Sequence, residues 1–135
     1  MEENKQESLE EKITALNNTA DTTAEYTKDD IEKNKVMAIL AYLGILVLVP
    51  IFGAKDSKFA RFHANQGLIL CIIWFAIWLI GQVFAAISWK LYAVLSIVFI
   101  IVYLLLTVLA ILGIINAANG KAKELPVIGK FKILK

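Results

Sequence analysis

The chain has 135 residues, 59% of them hydrophobic, and a formal net charge of +2 at pH 7. Soluble domains run at about 45–50% apolar residues, and a chain of about 150 residues buries only about 70% of its surface on folding. A water-soluble single domain is thereby excluded. Acids and bases are also unevenly spread: residues 1–35 hold ten acids against five bases, and residues 36–135 hold two acids against nine bases.

Taken in chain order, residues 1–30 form an acidic, Thr- and Asn-rich tail with little to bury, and its composition predicts disorder. Leu9, Ile13 and Leu16 fall on one helical face, enough for a turn or two. Asn17-Asn18-Thr19 fits a glycosylation acceptor pattern that carries little weight in a bacterial chain. No cleavable leader is visible after Met1-Glu2-Glu3.

Residues 36–54, 62–89 and 91–120 contain no Asp, Glu, Lys or Arg, giving runs of 19, 28 and 30 residues. About 20 apolar residues cross a hydrocarbon core, and lipid offers the backbone no partner, so spanning runs must be helical. The expectation is an all-α integral membrane protein with three transmembrane helices, at about 31–52, 58–88 and 91–118. Asp29 or Asp30 would cap the first and Asp56 or Ser57 the second. Pro50 predicts a kink or exit near the end of the first. Trp89 and Tyr92 flank Lys90 at a tight hairpin, where interfacial aromatics belong.

Residues 119–135 form the basic carboxy-terminal tail. Val127, Ile128, Phe131 and Leu134 share a face if it is helical, and Lys121, Lys123, Lys130, Lys132 and Lys135 would meet an anionic leaflet. Anionic lipids, not nucleic acid, are the partners this pattern predicts. With three spans, the first loop and this tail lie together and hold eight bases: Lys55, Lys58, Arg61, Lys121, Lys123, Lys130, Lys132 and Lys135. Lys28, Lys33, Lys35 and Lys90 lie on the other side. Basic loops stay cytoplasmic, so this count places the amino terminus outside a bacterial cell membrane and the carboxy terminus inside.

The most distinctive element is Arg61-Phe62-His63-Ala64-Asn65-Gln66 at the mouth of the second run. Arg61, His63, Asn65 and Gln66 could bind a phosphate head group or a partner's carboxylate; a plain helix start with a snorkelling Arg61 is the simpler reading. His63 and the single Cys71 make no metal set, and no cofactor motif is present. Gly81 with Ala85, and Gly113 with Ala117, are small-xxx-small pairs suited to helix packing within the chain or between copies. The three uncharged runs carry no Asp, Glu, Lys or Arg for a proton or ion relay.

Ala38-Ile39-Leu40-Ala41-Tyr42-Leu43, the stretch from Lys55 to Gln66, and the ending from Asn116-Ala117-Ala118-Asn119-Gly120-Lys121 to Pro126 resemble a bacterial membrane family. That family is similar to the chloroplast inner-envelope import component and to certain magnetosome membrane proteins. The resemblance covers roughly residues 30–130, and Arg-Phe-His-Ala-x-Gln is its most specific part. It implies a helical membrane core and, through the import component, a translocation role.

Three functions follow in decreasing weight. The first is a non-catalytic membrane protein that assembles with itself or with other membrane proteins. The second is an oligomeric pore or translocation component lined by Gln82, Ser96, Thr107 and Asn116. The third is a lipid head-group enzyme using His63 and Arg61, disfavoured because His63 has no orienting acid nearby in sequence.

Overall fold

A computed structural model describes residues 2–16 and 19–134 and is helical throughout its regular elements. α1 (Glu2–Leu16) is an acidic helix, exposed along residues 2–12. Asn17 and Asn18 lie outside the described residues. α2 (Lys28–Leu40) is capped by Thr27, whose hydroxyl accepts the Asp30 amide, two or three residues earlier than the expected aspartate cap. A 3-10 turn at Gly44–Val47 leads to the short α3 (Leu48–Gly53). α4 (Lys58–Ile87) and α5 (Trp89–Ala118) are the two long helices, joined through Ser88 alone. Ser57 caps α4 by accepting the Ala60 amide at 3.0 Å, and Ser88 caps α5 by accepting the Leu91 amide at 3.3 Å.

Among the described residues two helices, not three, are long and apolar enough to cross a bilayer. The segment expected as a first span over 31–52 is instead a hairpin. Its helix stops at Leu40, and Gly44 takes φ +63°, a left-handed conformation that side-chain-bearing residues resist. The chain then returns: the Asp30 carboxylate accepts from the Ser57 hydroxyl at 2.5 Å and from the Phe59 amide at 3.0 Å. Both legs therefore begin and end beside the start of α4. Pro50 falls in the first turn of α3, where a missing amide hydrogen costs nothing. The reversal comes at Gly44 and not at the proline.

Two glycines let the long helices close on this turn. A Cβ on Gly67 would lie 1.8 Å from the Ala41 carbonyl oxygen, and one on Gly113 would lie 2.3 Å from the Tyr42 ring. Ala41 and Tyr42 are buried as a result. The hairpin is pressed between the near ends of α4 and α5.

The two tails meet at this same end. The Thr22 amide donates to the Ala122 carbonyl at 3.0 Å, the Glu124 amide donates to the Ala20 carbonyl at 2.9 Å, and Asp21 and Lys123 form an antiparallel bridge. The hydroxyls of Thr22 and Thr23 add bonds to the Ala122 carbonyl and amide. Residues 19–27, expected to be unstructured, are thus ordered by pairing with a distant segment. The segment before α2 and the segment after α5 therefore lie together at one end of the molecule.

The carboxy-terminal tail is not a helix. From Lys121 to Leu134 it runs as extended chain and turns, with Ala122, Leu125 and Ile128 buried and Val127 and Phe131 exposed. The expected shared face is split because side chains of α4 capture the tail's backbone groups one by one.

Candidate functional site

Phe59, Phe62, His63 and Gln66 recur at three- and four-residue spacing, so α4 presents them along one stripe. α2, α5 and both tails close over that stripe, and His63 is fully buried. Its ring stands edge-on to Phe59, Phe62 and Tyr42, with centroids at 4.8, 5.2 and 5.6 Å.

The hydrogen bonds fix the proton positions. His63 Nε2 is 3.0 Å from the Lys121 carbonyl oxygen. A carbonyl only accepts, so Nε2 carries the hydrogen and Nδ1 of the neutral ring is an acceptor. Tyr42 Oη, 2.6 Å away, then donates to Nδ1. Tyr42 Oη in turn accepts from Gln66 Nε2 at 2.9 Å. Gln66 also donates to the Lys123 carbonyl at 3.4 Å, and its Oε1 accepts the Leu125 amide at 2.6 Å. The chain from Gln66 through Tyr42 and His63 to Lys121 is satisfied at every atom, which a buried polar network requires.

Asn65 holds the end of the tail. Its Nδ2 donates to the Phe131 carbonyl at 2.7 Å, and its Oδ1 accepts the amides of Ile133 and Leu134 at 2.6 and 2.9 Å. Of the four residues expected to bind a head group or partner, His63, Asn65 and Gln66 are therefore occupied within the chain. Arg61 is half-buried and lines an open cavity of about 700 Å³ with Glu25, Tyr26, Lys58, Phe62, Asn65, Lys132 and Leu134. Lys132 sits 5.2 Å above the Phe62 ring and 3.5 Å from a Glu124 oxygen.

The other expected residues separate. Gly113 and Ala117 pack inside the chain, and a Cβ on Gly81 would meet Tyr92 and Phe99 of α5 at ordinary contact distance. Ala85 is half-buried. Lys121, Lys130 and Lys132 are exposed and Lys123 half-buried; Lys135 lies outside the described residues. Ser96 and Thr107 hydroxyls donate to carbonyls of their own helix, while Asn116 is buried at the clasped end. Gln82 is exposed near the far end. Among the described residues no three His, Cys, Asp or Glu side chains gather as a metal cage would require. Outside the helices, the Thr23 hydroxyl and amide hold the Asp21 carboxyl below its ordinary range.

Sequence reasoning missed Tyr42 as a partner of His63 and Gly67 as the seat of the hairpin. The available signals were the hydroxyl of Tyr42 and the conformational freedom of Gly44, within a run otherwise read as a span.

Residues 33–132 match the family described as the magnetosome magnetite crystal formation protein family. The chain is 32% identical over 102 residues to the magnetosome protein MamF of Paramagnetospirillum magneticum, covering 76% of this chain and 85% of that protein. Over 38 residues it is 45% identical to the magnetosome protein MmsF of the same organism and to MamF of Magnetospirillum gryphiswaldense, about a third of each. No solved structure matches significantly. None of these findings extends to the chloroplast import component.

Proposed function

Since the chain belongs to the magnetosome magnetite crystal formation protein family, we propose that it is a non-catalytic structural protein of such a compartment's membrane. In this reading it crosses the bilayer twice, inserts a re-entrant hairpin, and presents its clasped tails for assembly with itself or with other membrane proteins. The carrying observation is the complete internal use of His63, Asn65 and Gln66, which leaves no free acid–base group at the family's most specific element.

Charge supports an orientation. Outside α1, ten described bases lie at the clasped end, from Lys28, Lys33 and Lys35 through Lys55, Lys58 and Arg61 to Lys121, Lys123, Lys130 and Lys132; Lys90 lies at the other. Basic segments beside the membrane stay cytoplasmic, so both tails face the cytoplasm. The cavity beside Arg61, with Lys58 and Lys132, then lies where anionic head groups are.

Cys71 is the only cysteine, so Cys71→Ala gives a clean background for labelling. Cysteines at Glu3 and Val127 should react with an impermeant reagent from the cytoplasmic face, and one at Lys90 from the opposite face. Reaction of Glu3 and Val127 from opposite faces would overturn the topology. Crosslinking in native membranes should trap a defined higher-mass species, and its consistent absence would refute the assembly role.

A further inference from the structure

The two ends of the molecule differ in width. At the clasped end, α2 and α3 lie against α4 and α5, so four helical segments share the cross-section; at the Ser88 end only α4 and α5 remain. The hairpin's outer surface is apolar: Leu43, Ile45, Leu46, Leu48, Val49 and Phe52 are all exposed, Ile45 at 71% and Phe52 at 67%. Six such side chains in one short hairpin require a hydrocarbon surface and not water.

Its depth can be bounded. Ile45, at the tip, lines a cavity with Trp74 and Phe75. Trp74 stands 13 residues before Ile87, or about 20 Å at 1.5 Å per residue. If the far boundary of a core about 30 Å thick lies at Ile87, the tip penetrates about 10 Å from the near boundary. That is one leaflet only, within the range of interfacial apolar segments whose binding is curvature-sensitive.

We infer that the hairpin is a one-leaflet wedge that fits the chain to a strongly curved bilayer, with the clasped end in the convex leaflet. Four segments widen that leaflet, where curvature opens space between head groups, and two segments occupy the concave leaflet, where head groups crowd. A flat bilayer must compress around the wide end, and a bilayer curved the other way must compress further. The preference belongs to the shape of the chain and needs no partner protein. It rests on the two-span reading given above.

The test uses the full chain carrying Glu3→Cys and Cys71→Ala, reconstituted sparsely into phosphatidylethanolamine–phosphatidylglycerol vesicles of mixed diameter. An impermeant fluorescent maleimide then reports only copies with the clasped end outward. Protein density per membrane area should rise several-fold from large to small vesicles for these copies. Copies facing inward, labelled after permeabilisation, should show the opposite trend. Ile45→Ser with Phe52→Ser, both exposed and remote from the buried network, should flatten the dependence while helix content is retained. A density independent of diameter, the same trend in both orientations, or an unchanged trend in the double variant would each overturn the wedge. Release of the labelled chain by alkaline wash would refute the two-span reading itself and the wedge with it.

Discussion

The two halves of α4 share one helix and one uncharged sequence run from Phe62 onward, yet they live in opposite surroundings. Nine of its ten buried residues lie between Phe59 and Leu70, and the tenth is Gly81. Beyond Leu70, Ile72, Trp74, Phe75, Trp78, Leu79, Ile80 and Val83 are exposed. The near half is a protein interior built from His63, Asn65, Gln66 and Gly67. The far half is a bare pair of helices with exposed apolar faces. A helix of 30 residues is about 45 Å long, while the hydrocarbon core is about 30 Å thick. The surplus of about ten residues corresponds to the stretch that the hairpin and tails enclose.

The sharpest way to break this contrast is to exchange glycines between its sides. In Gly67→Ala the new Cβ meets the Ala41 carbonyl at 1.8 Å and the carbonyl carbon at 2.6 Å, backbone that a rotamer change cannot move. Overpacking costs about 1–3 kcal/mol and occasionally more, and a backbone clash belongs at the top of that range. Denaturant titration in detergent should show a loss of about 3 kcal/mol or greater. Gly81→Ala meets only ring edges at 3.5 and 4.0 Å. It should be neutral or stabilise by up to about 1 kcal/mol, as helix propensity favours alanine. Equal effects at the two glycines would erase the distinction between the halves.

Glutamines provide the next comparison. Gln66→Leu strands the Leu125 amide and removes the donor to Tyr42, at about 1–3 kcal/mol per buried group left unpaired. Because Gln66 also ties down the carboxy-terminal tail, limited trypsin digestion should cut at Lys123 and Lys130 faster than in the parent. Gln82→Leu, on an exposed surface in the far half, should leave both stability and cleavage unchanged. Protection of the tail in the Gln66 variant would mean that tail–helix packing alone holds it.

What could be read from residues alone follows the same division. The far half was fully legible, because long uncharged runs of Leu, Ile and Val admit one structure in lipid. α4 and α5 accordingly end close to the expected boundaries. The near half was legible only as residue types. Arg61, His63, Asn65 and Gln66 stand out either as head-group or partner ligands or, more simply, as a helix start with a hydrogen-bonded His63. Neither reading names what encloses them, since those segments arrive from residues 19–47 and 121–134. Those segments look unremarkable locally: Thr-rich chain, a short apolar run and a basic end acquire structure only through pairing across about a hundred residues. The hairpin was missed for a related reason. Its 17 apolar residues from Val36 to Phe52 satisfy the length criterion for a span, and only the left-handed turn at Gly44 and the close seats at Gly67 and Gly113 reverse it.

A smaller effect probes the network's centre. Tyr42→Phe keeps the ring against Gly113 and removes only the hydroxyl, leaving His63 Nδ1 without a donor and Gln66 Nε2 without one of its acceptors. The expected loss is about 1–2 kcal/mol, below that for Gln66→Leu because Gln66 retains the Leu125 and Lys123 contacts. A larger loss from Tyr42→Phe than from Gln66→Leu would reverse the ranking and make the hydroxyl, not the carboxamide, the keystone of the near half.

The smallest effect has the opposite sign. Asn116 Nδ2 is buried and, among the described residues, is the side-chain polar atom with no hydrogen-bond partner. Nothing in the structure explains it. An unpaired buried amide carries a desolvation cost of about 1–3 kcal/mol, so Asn116→Leu, similar in volume, should be neutral or stabilise by up to about 1 kcal/mol. The backbone carbonyl of Asn116, which accepts the Lys121 amide at 2.8 Å, is untouched by the change. Destabilisation in the same denaturant titration would show that the buried carboxamide is satisfied inside the chain, most directly by an ordered water.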